Sequence, residues 1–399
     1  MSAGTIISES GLSAMESETH LAVGSNGFVV VAWISIQPNG GSSNGYVFST
    51  DGGTTWGDVA NLDSPNGQVA SDPVIAVDAN NNFTMTWIGF NTNSQGTPTN
   101  MTVYSATAPS GTTTFGTPVV VDSGSDFDKP WILESRDGSL ILTYADTGNF
   151  SLKAARSTDK GATWATSVVA SGNAFRNLAY PCTPTDGTSH RVYVVYTVLT
   201  NGANPSGIGI HWSDDDGVTW PDANKAAVAQ QNEVLAFEDP TCVAKGDEVW
   251  VAYGITSDNA GDPESTVAKL DKVQVAHSTD GGATFTSYTN AADTVATKYA
   301  LLPAMAIEES GALDVVYYAG AMADDPEGSY RRTRSTDGGA TWSSSVVVSN
   351  PLTFSQDRAS QLWLGDYTGV AASGGSIYHS FADNSSGTSH IRFVKESVQ

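Results

Sequence analysis

Asp72, Lys129, Tyr180, Asp239 and Leu302 each stand immediately before a proline, at positions 73, 130, 181, 240 and 303. By difference these prolines recur every 57, 51, 59 and 63 residues. His20 joins the set by a looser alignment and Asp366 by its place in the last unit; Asp128 and Glu238 are neighbours, and Arg176 and Arg358 lie a few residues upstream. If the repeats bring these positions together, crowded carboxylates repel one another, and some pKa values rise or a cation is recruited. An Asp raised in this way can serve as a general acid, and a Tyr or a carboxylate can attack an anomeric carbon. The expected ligand-binding ring is therefore His20, Asp72, Asp128, Lys129, Arg176, Tyr180, Glu238, Asp239, Arg358 and Asp366. Within it, Asp72, Tyr180, Asp239 and Asp366 are the candidates for catalysis. The bland alternative is that each Asp caps its turn and the ring only solvates a channel.

The repeats must be radial for such a ring to form. Each unit reads as a Pro, an apolar stretch, a turn and a strand ending in an aromatic, as in "SDPVIAVDANNNFTMTWIG" and "LLPAMAIEESGALDVVYYAG". Two units without the Pro flank the other five, "ETHLAVGSNGFVVVAWISI" and "LGDYTGVAASGGSIYHSFADN", which makes seven. Six of the seven are followed by a box, intact or worn, and a short strand, so a unit reads as four strands, the size of one propeller blade. The second strand is apolar on both faces ("RVYVVYTV", "EVWVAYGI"), as a strand packed between neighbouring sheets must be. The seventh unit stops after about three strands, and "GTIISES" near the start matches the missing fourth in type. Pairing the two closes the ring and protects both open edges. The expectation is an all-β, seven-bladed β-propeller in one domain, 1–399. Its blades fall near 17–65, 66–122, 123–173, 174–232, 233–293, 294–353, and 354–399 with 1–10.

The box is Ser-x-Asp-x-Gly-x-Thr-aromatic: "STDGGTTW" from Ser49, "STDKGATW" from Ser157, "SDDDGVTW" from Ser213, "STDGGATF" from Ser278 and "STDGGATW" from Ser335. A worn copy runs from Ser105 to Phe115. Between strands three and four it is a hairpin in which Asp accepts turn amides, Gly supplies a positive φ and the aromatic plugs the space between blades. These hairpins resemble the Asp box of the sialidase-like, or bacterial neuraminidase repeat, proteins, and the resemblance covers nearly the whole chain. "DKPW" and "LGDYTGVAA" are similar to segments of bacterial sialidase-like repeat proteins. The resemblance implies a propeller and often a carbohydrate ligand. Sialidases clamp the substrate carboxylate with three arginines, the first in a Phe/Tyr-Arg-Ile-Pro motif in the first blade. Here that stretch is "ESETHLAVGS", with no Arg, and only Arg176 and Arg358 are well placed, so sialidase activity is not expected.

Composition limits the partners. With 42 acidic against 18 basic residues the net charge is −24, which repels nucleic acid and anionic membranes. No apolar run reaches the ~20 residues of a membrane span, so no membrane insertion is expected. The opening "MSAGTIISES" has neither the basic nor the apolar segment of a secretory signal, although an acidic, Lys-poor surface suits an extracellular or cell-surface protein. Two cysteines make no disulfide framework, but Cys182 and Cys242 fall on adjacent inner strands and can face each other. No cofactor is required. Two acidic loops offer oxygen ligands for Ca²⁺, through Asp258, Asp262 and Glu264 or through Asp324, Asp325 and Glu327, without the spacing of a standard calcium loop.

The expected function is recognition of a carbohydrate or glycoconjugate, lectin-like, on the loop-rich face around the channel. One alternative is a glycoside hydrolase or polysaccharide lyase with an acidic site at the channel mouth. In the lyase case His20 and Tyr180 serve as base and acid, and Lys129 or Arg176 neutralises a uronate. Another is a structural or protein-interaction module.

Overall fold

The computed structural model describes residues 4–8, 15–37, 40–187, 189–200, 204–230, 233, 235, 239–256, 270–292, 299–320, 327–349, 352–353 and 362–398. Seven four-stranded antiparallel sheets form the blades of a propeller. Blade 1 comprises Met15–Val23, Val29–Ile36, Ser42–Ser49 and Ala60–Leu62, and blade 2 Val69–Val77, Phe83–Thr92, Pro98–Ala108 and Val119–Gly124. Blade 3 comprises Phe127–Glu134, Leu140–Asp146, Ser151–Ser157 and Ala165–Ala170, and blade 4 Phe175–Cys182, Val192–Thr200, Asn204–Ser213 and Lys225–Ala227. Blades 5 and 6 start with Thr241–Lys245 and Tyr299–Ile307. Blade 7 holds Gly369–Ser373, Ser376–Asp383 and His390–Ser397, completed by Thr5–Ile6. Among the described residues no helix is long and apolar enough to cross a membrane.

The ring closes as the sequence predicts. Thr5 pairs with Phe393 and Ile6 with Arg392, Ile7 N–H donates to the Ile391 carbonyl at 3.0 Å, and Ile391 N–H donates to Ser8 Oγ at 2.8 Å. The second strands Leu140–Asp146, Leu313–Gly320 and Ser376–Asp383 are buried along their whole lengths, because a neighbouring blade covers each face. The core is accordingly a set of inter-blade layers: Val30, Tyr46 and Phe48 of blade 1 pack with Ile75, Phe83 and Trp87 of blade 2.

The repeated hairpins are self-contained. In the last, Ser335 Oγ donates to Asp337 Oδ1 at 2.8 Å and accepts from Gly339 N–H at 2.8 Å. Thr341 N–H and Oγ1–H donate to the two Asp337 oxygens at 2.9 and 2.6 Å, and Gly339 takes φ +84°. The same bonds recur at Ser49/Asp51, Ser157/Asp159, Ser213/Asp215 and Ser278/Asp280. The aromatic then reaches the preceding blade. Trp164 Nε1 donates to Ser105 Oγ, Trp342 Nε1 to Thr289 Oγ1, and Trp56 packs edge-on against Phe393. Cys182 and Cys242 form a disulfide joining the inner strands of blades 4 and 5.

Five inner strands share a further device. Their pairing slips between Ser17 and His20, Ser71 and Val74, Asp128 and Trp131, Asn177 and Tyr180, and Leu301 and Ala304. In each bulge one residue is left-handed: Glu18 (φ +48°), Asp72 (+55°), Lys129 (+47°), Leu178 (+61°) and Leu302 (+53°). A bulge re-aims a side chain, and positive φ in a non-glycine residue carries a cost that recurs at functional sites. Its frame also corrects the alignment of two blades. The counterpart of Asp72 is Glu18 in blade 1, not His20, and Leu178 in blade 4, not Tyr180; His20 and Tyr180 each stand two positions further along.

Candidate functional site

The bulges aim Glu18, Asp72 and Lys129 at one point on the propeller axis. Lys129 Nζ lies 3.1 Å from Glu18 Oε1, 3.2 Å from Asp72 Oδ1 and 2.9 Å from Asp366 Oδ2, with the Tyr367 ring centroid 5.2 Å away. Blades 1, 2, 3 and 7 thus meet on one ammonium group. Gly365 makes the approach of blade 7 feasible: its φ is +92°, and a Cβ there would stand 2.6 Å from the Glu18 backbone nitrogen. Tyr367 donates to the Pro73 carbonyl at 3.2 Å, which fixes the same loop against blade 2.

Too many carboxylates surround this single cation for all to ionise. Burial and the nearby Asp72 and Asp366 push Glu18 well above the ordinary carboxylate range, against the pull of Lys129. Asp128 is raised to about 6, chiefly by burial, although its Oδ2 accepts from Asn177 Nδ2 at 2.6 Å. Asp239 is raised to about 8 by burial together with Asp366, Asp128 and Asp72, with Lys129 opposing. Burial works against the Lys129 charge, but Asp366, Glu18, Asp72 and Asp239 outweigh it and hold that pKa well above its usual value. At neutral pH Asp239 is therefore mostly a neutral acid and Lys129 a fixed cation.

Above the hub is a small cavity at the channel mouth, lined by His20, Trp131, Tyr180, Asp239, Thr241 and Asp366 among others. It has free room for about one water molecule. Asp239 and Thr241 are 4% and 3% exposed, and both Asp239 carboxyl oxygens and Thr241 Oγ1 have no hydrogen-bond partner among the described residues. Such atoms are costly to leave unpaired. His20 Nδ1 accepts from Ile75 N–H at 3.3 Å, and burial lowers its pKa to about 4, so the ring is neutral with its proton on Nε2. Trp131 holds the aromatic wall, edge-on to His20 at 5.3 Å and 4.5 Å from Tyr180. Burial, with Asp239 nearby, raises Tyr180 to about 12.

The structure brings together His20, Asp72, Asp128, Lys129, Tyr180, Asp239 and Asp366. It does not bring Arg176 to them: its Nη1 donates to the Ala174 carbonyl at 3.1 Å, and its charge acts on Tyr196 and His211 of blade 4. Glu238, Arg358, Asp258, Asp262, Glu264, Asp324 and Asp325 lie outside the described residues, and Glu327 is exposed. Among the described residues no group of three or more His, Cys, Asp or Glu side chains is arranged to hold a metal ion. At the hub the Lys129 ammonium stands where a recruited cation was expected. Sequence reasoning missed Glu18 because no proline in blade 1 marks the bulge position that carries Asp72 and Lys129 in blades 2 and 3.

No protein-family model matches the chain, and no curated protein does. Solved structures share its fold. It is similar to an ulvan lyase, a polysaccharide lyase (10% identity over 96% of this chain and 95% of that one, TM-score 0.61). A protein of unknown function from Dyadobacter fermentans DSM 18053 shows 15% identity over 83% and 95%, with TM-score 0.57. A Hadza microbial sialidase shows 14% identity over 99% of this chain and 68% of its own length, with TM-score 0.52. At such identities the likeness establishes the propeller and leaves the chemistry to the site.

Proposed function

We propose that the chain is a carbohydrate-recognising propeller that engages a glycan at the channel mouth, on the face from which the inner strands start. The observation that carries this reading is the buried Asp239, which lines a cavity beside the rings of Tyr180, Trp131 and His20 and whose two oxygens have no partner among the described residues. An aromatic wall with a few convergent polar groups is how sugar-sized ligands are held and oriented. The activities of two proteins of similar fold, an ulvan lyase and a sialidase, support a glycan as the ligand class. The repeated hairpins, with Ser, Asp, Gly and Thr bonded as described, fit the Asp box of sialidase-like proteins. No Arg lines the cavity among the described residues, which argues against a sialidase. A disulfide fits an exported or cell-surface protein. The reading needs no cofactor; calcium remains a candidate only through the acidic loops around 258–264 and 324–327.

A second reading is favoured by one observation. An acid with a pKa of about 8 still carries its proton at neutral pH, as the general acid of a glycoside hydrolase or lyase must. His20 is a poor base for a lyase, because its Nδ1 lone pair already accepts from Ile75. A glycan array combined with hydrolysis and lyase assays separates the readings. A binding protein retains glycans unchanged, and Asp239→Asn or Asp72→Asn alters affinity alone. An enzyme releases product and loses orders of magnitude of turnover in one of these variants. A protein that binds and cleaves no glycan is an interaction module, and this reading falls.

A further inference from the structure

We infer that the channel mouth reads a neutral sugar through a single hydroxyl group, received by Asp239 and Thr241, and disfavours acidic sugars. The inference rests on the carbohydrate reading above and narrows it to a ligand class.

The first support is hydrogen-bonding capacity. Asp239 and Thr241 lie two residues apart where the inner strand of blade 5 begins, and both line the same cavity. Three of their oxygens, Asp239 Oδ1 and Oδ2 and Thr241 Oγ1, are buried and unpartnered among the described residues. A protonated carboxyl group donates one hydrogen bond and accepts others, and a threonine hydroxyl does both. A hydroxyl guest donates one hydrogen bond and accepts two, which matches these groups in number. Size gives the second support. Free room for about one water molecule admits a hydroxyl or the end of a hydroxymethyl group, while a sugar ring must remain outside at the mouth.

Charge gives the third. Among the described residues Lys129 is the cation of this region, and it is already engaged by Glu18, Asp72, Asp366 and the Tyr367 ring. No other Lys or Arg lines the cavity among the described residues. The Asp366 side chain is 42% exposed at the mouth, where it meets an incoming carboxylate with like charge. Among the described residues a sialic or uronic acid therefore finds neither a bidentate partner nor a free ammonium. A neutral hydroxyl needs no partner charge, and its binding leaves the Asp239 proton in place.

The test starts from an array of neutral and acidic oligosaccharides probed with the full chain, followed by calorimetry on the best neutral hit. Binding to neutral saccharides is expected. Asp239→Leu should weaken it by about ten- to a hundred-fold, and Thr241→Val by several-fold, as expected for a buried partner left unpaired. Asp239→Asn keeps a donor and an acceptor in place and should stay within a few-fold of wild type. Titrations at pH 7 in buffers of different ionisation enthalpy should show no proton release. Preference for sialic or uronic acids, full affinity in Asp239→Leu and Thr241→Val, or release of a proton on adding sodium or calcium chloride each overturns the inference. Those three results leave the carbohydrate reading standing, whereas failure to bind any saccharide removes that reading itself. Circular dichroism and unfolding curves confirm that each variant is folded before its affinity is scored.

Discussion

Lys129 of blade 3 and Asp366 of blade 7 lie 237 residues apart in the chain, yet their charged groups meet at 2.9 Å on the propeller axis. The bulges of blades 1, 2 and 3 turn Glu18, Asp72 and Lys129 inward, so one ammonium offsets what would otherwise be mutual repulsion among carboxylates from blades 1, 2 and 7. Stability and the candidate site are therefore coupled at the hub.

Replacing Lys129 by Met should destabilise the fold by about 3–5 kcal/mol, since it strands buried carboxylates without their counter-ion. The loss should be smaller at pH 5 than at pH 7.5, because acid neutralises Glu18, whose pKa burial raises. Urea unfolding at the two pH values measures both effects; equal stability of variant and wild type at pH 7.5 would show that the lysine is dispensable.

Asp239 should make wild type less stable as pH rises from about 4 to about 8. In the unfolded chain an Asp ionises near 3.9, whereas the folded Asp239 keeps its proton to about 8. Folding thus takes up a proton across this window, and raising the pH favours the unfolded state by up to about 1.4 kcal/mol per unit. Asp239→Asn has no such proton to bind. The stability difference between the two proteins should open from pH 4 to 8 and level off above it; parallel profiles would contradict the assigned protonation.

Ser335→Ala tests the hairpins. Ser335 is buried, and its Oγ bonds both Asp337 and the Gly339 amide. Its loss should cost about 1–2 kcal/mol of stability and leave glycan affinity unchanged. A binding defect in a fully folded Ser335→Ala protein would give the hairpin face a functional role.

The Cys182–Cys242 bridge closes a loop with a sequence separation of 60. Reduction, or the double change Cys182→Ser with Cys242→Ser, should lower stability by about 2–4 kcal/mol under the chain-entropy account. Thermal melts with and without reductant measure it, and coincident curves would mean that the bridge does not form in solution.

The sequence alone determined the seven sheets, the closure of the ring by the amino-terminal strand and the hairpin turns. Each of these depends on local pattern: apolar strands with turns between them, and a Ser-Asp-Gly-Thr spacing that folds on itself. It also placed Asp72, Asp239 and Asp366 near the axis, because equivalent positions in a radial repeat must converge. Only the tertiary structure decided which residue each blade presents there. Blade 1 offers Glu18 rather than His20, and blade 4 offers Leu178, because the bulge frame is set by backbone geometry that a misplaced or missing proline conceals. Only the tertiary structure, likewise, made Lys129 the centre, turned Arg176 away toward Tyr196 and left Asp239 protonated. Those outcomes depend on burial and on distances between groups from different blades, and both arise only when the ring is assembled.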